Sequence, residues 1–176
     1  MKNLVCIVGN DVNRKQSTLL SLFEEEDNSE EKKFISCTTE FLSAITSFSN
    51  SKVLYIDLPE FKAFPSDQLL IARQIIRLVH IDGKKIIFTT NSDYIIQHIN
   101  NMIKLNNNKD RETLMLEYEY DENDLLDSEE IQVCEINIDN EEKELVCGKY
   151  GFVVPSFNFV INKLCTEIFT FQEEED

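Results

Sequence analysis

Three short runs of consecutive apolar residues place the strongest limit on the fold: Leu4–Val8, Val53–Ile56 and Ile86–Phe88. Runs of this length without polar alternation are the pattern of strands buried on both faces. Helical segments are expected between them. After Gly9 breaks the first run, a polar loop, Asn10 to Gln16, leads to a helix expected from Ser17, with Leu19, Leu20, Leu22 and Phe23 as its core face. A second helix is expected over Thr39–Phe48, where Phe41, Leu42, Ile45 and Phe48 recur at helical spacing. Pro65 and Ser66 open a third, with Ser66 placed to cap it, and Asp82-Gly83 marks the turn after it. Ser92 caps a fourth, whose apolar residues Ile95, Ile99, Met102 and Ile103 share one face.

Strand and helix alternating at this spacing predict an α/β fold, a mostly parallel sheet flanked by helices. Beyond Asn106–Arg111 the pattern changes. Leu114–Tyr120 and Ile131–Ile138 alternate, and Glu144–Cys147 does so more weakly, which predicts an antiparallel strand extension near the C-terminus. A last helix is expected from Ser156, striped by Val160, Ile161, Leu164, Cys165, Ile168 and Phe169. With no internal repeat and no linker, residues 1–176 read as a single domain.

The charge narrows the function. The chain has 176 residues and a net charge of -16, with acid concentrated in Glu24–Glu31, Glu117–Glu144 and the tail Glu173–Asp176. Such a surface repels nucleic-acid phosphates, so direct nucleic-acid binding is not expected. No run approaches the roughly 20 apolar residues that cross a bilayer, and the N-terminus has no signal-peptide core, so the expected location is cytoplasmic. The five cysteines are scattered, with no CxxC pair, and are read as reduced thiols packed as small hydrophobes. With only His80 and His98 available, a zinc site is not expected.

The loop after the first strand is the first candidate for chemistry. A phosphate-binding P-loop, G-x-x-x-x-G-K-[ST], wraps phosphates in backbone N–H groups, neutralises them with its Lys and holds magnesium with its hydroxyl. Here Gly9 and Lys15 keep the spacing. Arg14 stands where the second glycine belongs and Gln16 where the hydroxyl belongs, with Ser17 and Thr18 following. A bulky Arg14 interferes with the tight backbone curl, so ATP and Mg2+ are cofactors with impaired binding at best.

The second candidate is Val53 to Leu105. It contains Ile56-Asp57-Leu58-Pro59-Glu60, then Ala63-Phe64-Pro65, then Thr89-Thr90-Asn91-Ser92-Asp93-Tyr94, then Ile99-Asn100-Asn101-Met102-Ile103. This stretch resembles the ATP-binding-cassette-type ATPases of bacterial anti-phage and overcoming-lysogenization-like systems. Their Walker B reads roughly IDEPE followed by LHP, and their switch reads TTHSDY followed by INNLI. The resemblance implies a P-loop NTPase-like fold, with Asp57 holding magnesium and Asn91 at the switch position that meets the terminal phosphate.

The departures from the family are as informative as the matches. Leu58 replaces the Glu that polarises the attacking water, and Leu has no proton acceptor. Asn91 replaces the switch His. Residues 33–52 carry no LSGG-like signature, the element by which one subunit completes its neighbour's site. Glu60 is a weak candidate for a replacement base. The resulting expectation is a pseudo-ATPase, with Gly9, Arg14, Lys15, Ser17, Thr18, Asp57 and Asn91 as vestigial nucleotide-site residues. It would act by binding another protein, and the family suggests an intact ATPase subunit. Two alternatives are a slow or partner-completed ATPase, and an acidic mimic of nucleic acid that occupies a DNA-binding protein.

Overall fold

The computed structural model describes residues 2–9, 11–25, 31–36, 41, 50–137 and 141–173. Six strands form one sheet: β1 (Leu4–Gly9), β2 (Lys32–Ser36), β3 (Val53–Asp57), β4 (Lys85–Thr89), β5 (Ile131–Ile136) and β6 (Glu142–Leu145). Their spatial order is β2-β3-β4-β1-β5-β6. The first five run parallel and β6 is antiparallel to β5. The helices are α1 (Val12–Glu25), α2 (Pro65–His80), α3 (Asp93–Asn106), the short α4 (Arg111–Glu117) and α5 (Pro155–Glu173). This is the expected α/β fold with a mostly parallel sheet, P-loop NTPase-like in arrangement, and an antiparallel strand near the C-terminus.

Strand side chains alternate between two cores, as the pleat requires. Leu4, Cys6, Val8, Leu54, Ile56 and Phe88 face α2 and α3. Val5, Ile7, Tyr55, Ile87 and Ile136 face α1, which contributes Leu19. On the α1 face the sheet also borders an apolar cavity of about 400 Å³, lined by Val5, Ile7, Leu22, Tyr55, Ile87 and Ile136 among others.

Several local expectations are corrected. Leu114–Tyr120 is not a strand, because Arg111–Glu117 is helical and buries Met115. Its apparent alternation is too short to separate the two periods, and Leu116 is left exposed. Residues 131–136 do form a strand, but it is parallel to β1 and antiparallel only to β6. Ser66 is not the cap of α2; Phe64 holds that position without a side-chain bond, and Pro65 occupies the first turn, where its missing N–H costs nothing. The strand β2 has no counterpart in the expectations, since Lys32 and Lys33 interrupt its apolar run. The expected helix over Thr39–Phe48 lies outside the described residues except for Phe41, which is helical and buried against the core. Ser92 does cap α3, accepting the Ile95 N–H at 3.1 Å, and Ile95, Ile99, Met102 and Ile103 are buried as expected.

Candidate functional site

The strand order sets β4 between β1 and β3, so the C-terminal ends of these three strands meet at one corner of the molecule. Register fixes the meeting: Ile7 pairs with Thr89, and Ile56 with Phe88. Gly9, Asp57 and Thr89 are therefore neighbours at the sheet's edge, and the N-terminal half of α1 lies beside them.

The connection from β1 to α1 is the largest departure from the sequence expectation. Helix α1 begins at Val12, not Ser17, so the residues expected to form a phosphate-wrapping loop are already helical. Asp11 starts the helix: its carboxylate accepts the Arg14 N–H at 3.0 Å and its carbonyl the Lys15 N–H at 3.1 Å. The helix N-terminus, where a phosphate would accept N–H bonds, thus holds a carboxylate of the chain itself. Gly9 has a different duty from the expected one. It sits at φ 137°, and a Cβ there would run into the Ile136 carbonyl, so glycine permits β1 to close against β5.

Lys15 is fully buried. Its ammonium donates to the Gly9 carbonyl, to the Thr90 carbonyl at 3.3 Å and to Asn91 Oδ1. An ammonium has three donors, and three acceptors of this chain surround it. Burial lowers the Lys15 pKa, against the opposing influence of Glu60, Cys6, Asp57 and Asp11.

Asp57 is closed in the same manner. The Gln16 amide donates to Oδ2 at 2.9 Å and the Thr89 hydroxyl to Oδ1 at 2.7 Å, while Thr89 Oγ1 also accepts the Leu58 N–H at 3.0 Å. Gln16 stands where a P-loop hydroxyl would share a magnesium ion with this carboxylate, and it donates to the carboxylate directly. Leu58 takes φ 50°, the left-handed region unfavourable to a non-glycine residue by about 1–2 kcal/mol. Glu60 reaches back to the corner, where its Oε1 accepts the Asn91 N–H at 2.7 Å. Its Oε2 is buried with no hydrogen-bond partner. Desolvation raises the Glu60 pKa, and bonds from Asn91 and Thr90 and the nearby Lys15 only partly offset this.

The structure therefore brings together Gly9, Lys15, Asp57 and Asn91, and joins to them Gln16, Thr89 and Glu60. It leaves the other three expected residues outside. Arg14 is half-buried on the first turn of α1. Ser17 is exposed and turns its hydroxyl back to the Arg14 carbonyl at 2.8 Å. Thr18 lines the apolar cavity on the α1 face of the sheet.

ATP and Mg2+ do not fit this arrangement. The N–H cradle is replaced by a capped helix, the lysine is turned inward, and both Asp57 oxygens already have donors. No group of three or more His, Cys, Asp or Glu suited to a metal occurs among the described residues. Gln16 was legible in the sequence as an amide in place of a hydroxyl, and Asp11 as a residue type that caps helices. Thr89 as the partner of Asp57 was not, because only the pairing of β3 with β4 makes them neighbours.

No helix among the described residues is long and apolar enough to cross a membrane. Cys6, Cys134, Cys147 and Cys165 are free thiols, and burial raises the pKa of the first three. No protein-family model matches the chain, and no curated protein matches it either.

Proposed function

We propose that this chain is a non-hydrolysing P-loop NTPase-like domain that works through contact with another protein. The observation that carries the reading is the self-satisfied corner. Lys15 is held by Gly9, Thr90 and Asn91, and Asp57 by Gln16 and Thr89, so the groups that would bind nucleotide and magnesium are bound to one another. Leu58 supplies no base at the position after Asp57. The resemblance of Val53–Leu105 to anti-phage ATPases suggests the partner: an intact subunit of that type, met in the cytoplasm in a phage-defence or anti-defence setting.

One observation favours a second reading, a slow or partner-completed ATPase. Glu60 leaves a buried carboxylate oxygen without a partner near Lys15, a raised-pKa carboxyl of the kind that serves as a general base. Calorimetric titration of the purified chain with Mg-ATP separates the two. The proposed reading expects no heat of binding at millimolar nucleotide. Saturable binding that is abolished by Lys15→Ala, with turnover abolished by Glu60→Gln, would replace it with the second. Co-purification with an intact ATPase in fixed stoichiometry is the positive test of the partner.

A further inference from the structure

The apolar cavity on the α1 face of the sheet is separate from the corner at Lys15 and Asp57. Its volume of about 400 Å³ lies in the range of small-molecule sites. The sheet contributes Val5, Ile7, Tyr55 and Ile87 to its lining, and α1 contributes Leu22. Four polar residues also line it: Thr18, Glu25, Gln132 and Glu142. Among the described residues, none of these four side chains is engaged in a hydrogen bond or an ion pair. Thr18, Leu22 and Glu25 follow one another at steps of four and three, so one face of α1 carries all three.

Register and helix rise put the polar groups in order. Glu142 pairs with Ile136, and Ile136 with Gly9, at the C-terminal end of the parallel strands. Lys15, whose ammonium meets the Gly9 carbonyl, marks that end on α1. From there α1 runs back along the sheet, until its Leu22 carbonyl accepts the Tyr55 hydroxyl at 3.3 Å. Thr18 is three residues past Lys15 and belongs to the Glu142 half of the cavity. Glu25 is ten residues past Lys15, about 15 Å further along the helix. Gln132 lies four residues before Ile136 on β5, about 13 Å back along the strand, and so towards the Glu25 end. Each end of an apolar slot therefore has one carboxylate and one neutral polar group. The lining includes no Lys or Arg. The Cys134 thiol in the same wall feels this field: burial raises its pKa, and Glu144 and Glu142 raise it further.

We propose that this cavity binds a linear aliphatic diamine, a run of methylenes with an ammonium at each end. The methylenes lie on Val5, Ile7, Tyr55 and Ile87, one ammonium meets Glu142 and Thr18, and the other meets Glu25 and Gln132. An ammonium has three donors, and a carboxylate together with a hydroxyl or amide oxygen accepts them. An extended eight-carbon diamine falls short of the carboxylate separation by about one hydrogen bond at each end. A polyamine with nitrogens inside the chain fits less well, because it sets an ammonium on the apolar floor.

A net charge of -16 attracts any dication, and chain length separates the cavity from that general attraction. Calorimetric titration of the full chain with 1,8-diaminooctane should show saturable binding at one site. Octylamine, which lacks one ammonium, should bind about fivefold more weakly, the most that an exposed ion pair is worth. Glu25→Gln and Glu142→Gln should each weaken 1,8-diaminooctane by about the same factor, while Glu24→Gln, outside the lining, should not. Bound 1,8-diaminooctane should slow alkylation of Cys134, read by peptide mass mapping, and leave that of the exposed Cys165 unchanged. Absence of saturable binding overturns the proposal. So does 1,4-diaminobutane binding as tightly as 1,8-diaminooctane, or affinity that is indifferent to Glu25→Gln and Glu142→Gln together.

Discussion

The corner around Lys15 and the helix α5 are opposite solutions to one problem. In the corner, charged and polar groups are buried and nearly all of their bonding capacity is met within the chain. Along α5 beyond Phe157, large apolar side chains are exposed. A buried ammonium with three internal acceptors has little to offer a ligand, because any new bond must first break an old one. Exposed apolar side chains gain free energy from any matching surface that removes them from water. The contrast sets a corner whose polar groups are engaged with one another against a helix whose apolar side chains are exposed.

The most severe way to break this comparison is to open the corner. Lys15→Ala strands Glu60 and three acceptors without their cation and should destabilise the fold by about 3–5 kcal/mol in urea unfolding. A loss below about 1 kcal/mol would falsify the closed-corner reading.

A second buried polar group shows how strongly this interior resists new charge. His98 is held to about 4, below its ordinary 6.5, first by burial and then by the nearby Arg73. Above 6.5 neither folded nor unfolded protein is protonated there. As pH falls from 6.5 towards about 4 the unfolded chain takes up the proton first, so stability is lost across that window, by up to about 3 kcal/mol. His98→Gln should flatten the profile between those pH values.

Removing a single donor from the corner is a milder probe. Gln16→Ala leaves Asp57 Oδ2 without its amide and should cost about 1–2 kcal/mol, since the site is only partly buried. If the variant is instead more stable in the presence of Mg2+ than in its absence, the Gln16 amide is a stand-in that a metal can replace.

Nucleotide itself should have almost no effect. At 1 mM Mg-ATP and a dissociation constant no tighter than that, stabilisation is at most about 0.4 kcal/mol, or about 1 °C in melting temperature. A shift of several degrees would mean that the corner opens. Leu58→Glu should not restore hydrolysis, because replacing the missing base leaves Lys15 and Asp57 engaged. At the far end of the scale, Ile168→Asp on α5 should alter the stability of the body by no more than about 0.5 kcal/mol, since that side chain is more than half exposed.

How legible the molecule was depends on the range of the interaction. Burial on both faces leaves its mark on consecutive residues, so Leu4–Val8, Val53–Ile56 and Ile86–Phe88 disclosed β1, β3 and β4, and Ser92 disclosed the start of α3. Strand β2 escaped because Lys32 and Lys33 stand at an intermediate, edge-like position where the apolar run is broken. The start of α1 was misplaced by five residues because the Gly9–Lys15 spacing suggested a loop, while Asp11 with its cap to Arg14 decided for a helix.

The sequence alone determined the layered α/β class, the acidic composition and the absence of a base directly after Asp57, because each is a property of residue type or short-range spacing. Only the tertiary structure decided that Lys15 is buried, that Thr89 and Gln16 share Asp57, that Gly9 serves the approach of β5, and that α5 packs on the body through Phe157 while its later apolar residues stay exposed. These depend on which strands become neighbours and on where a helix points once it leaves the sheet. The free energy that fixes such choices comes from contacts between residues far apart in the chain, which no local pattern records.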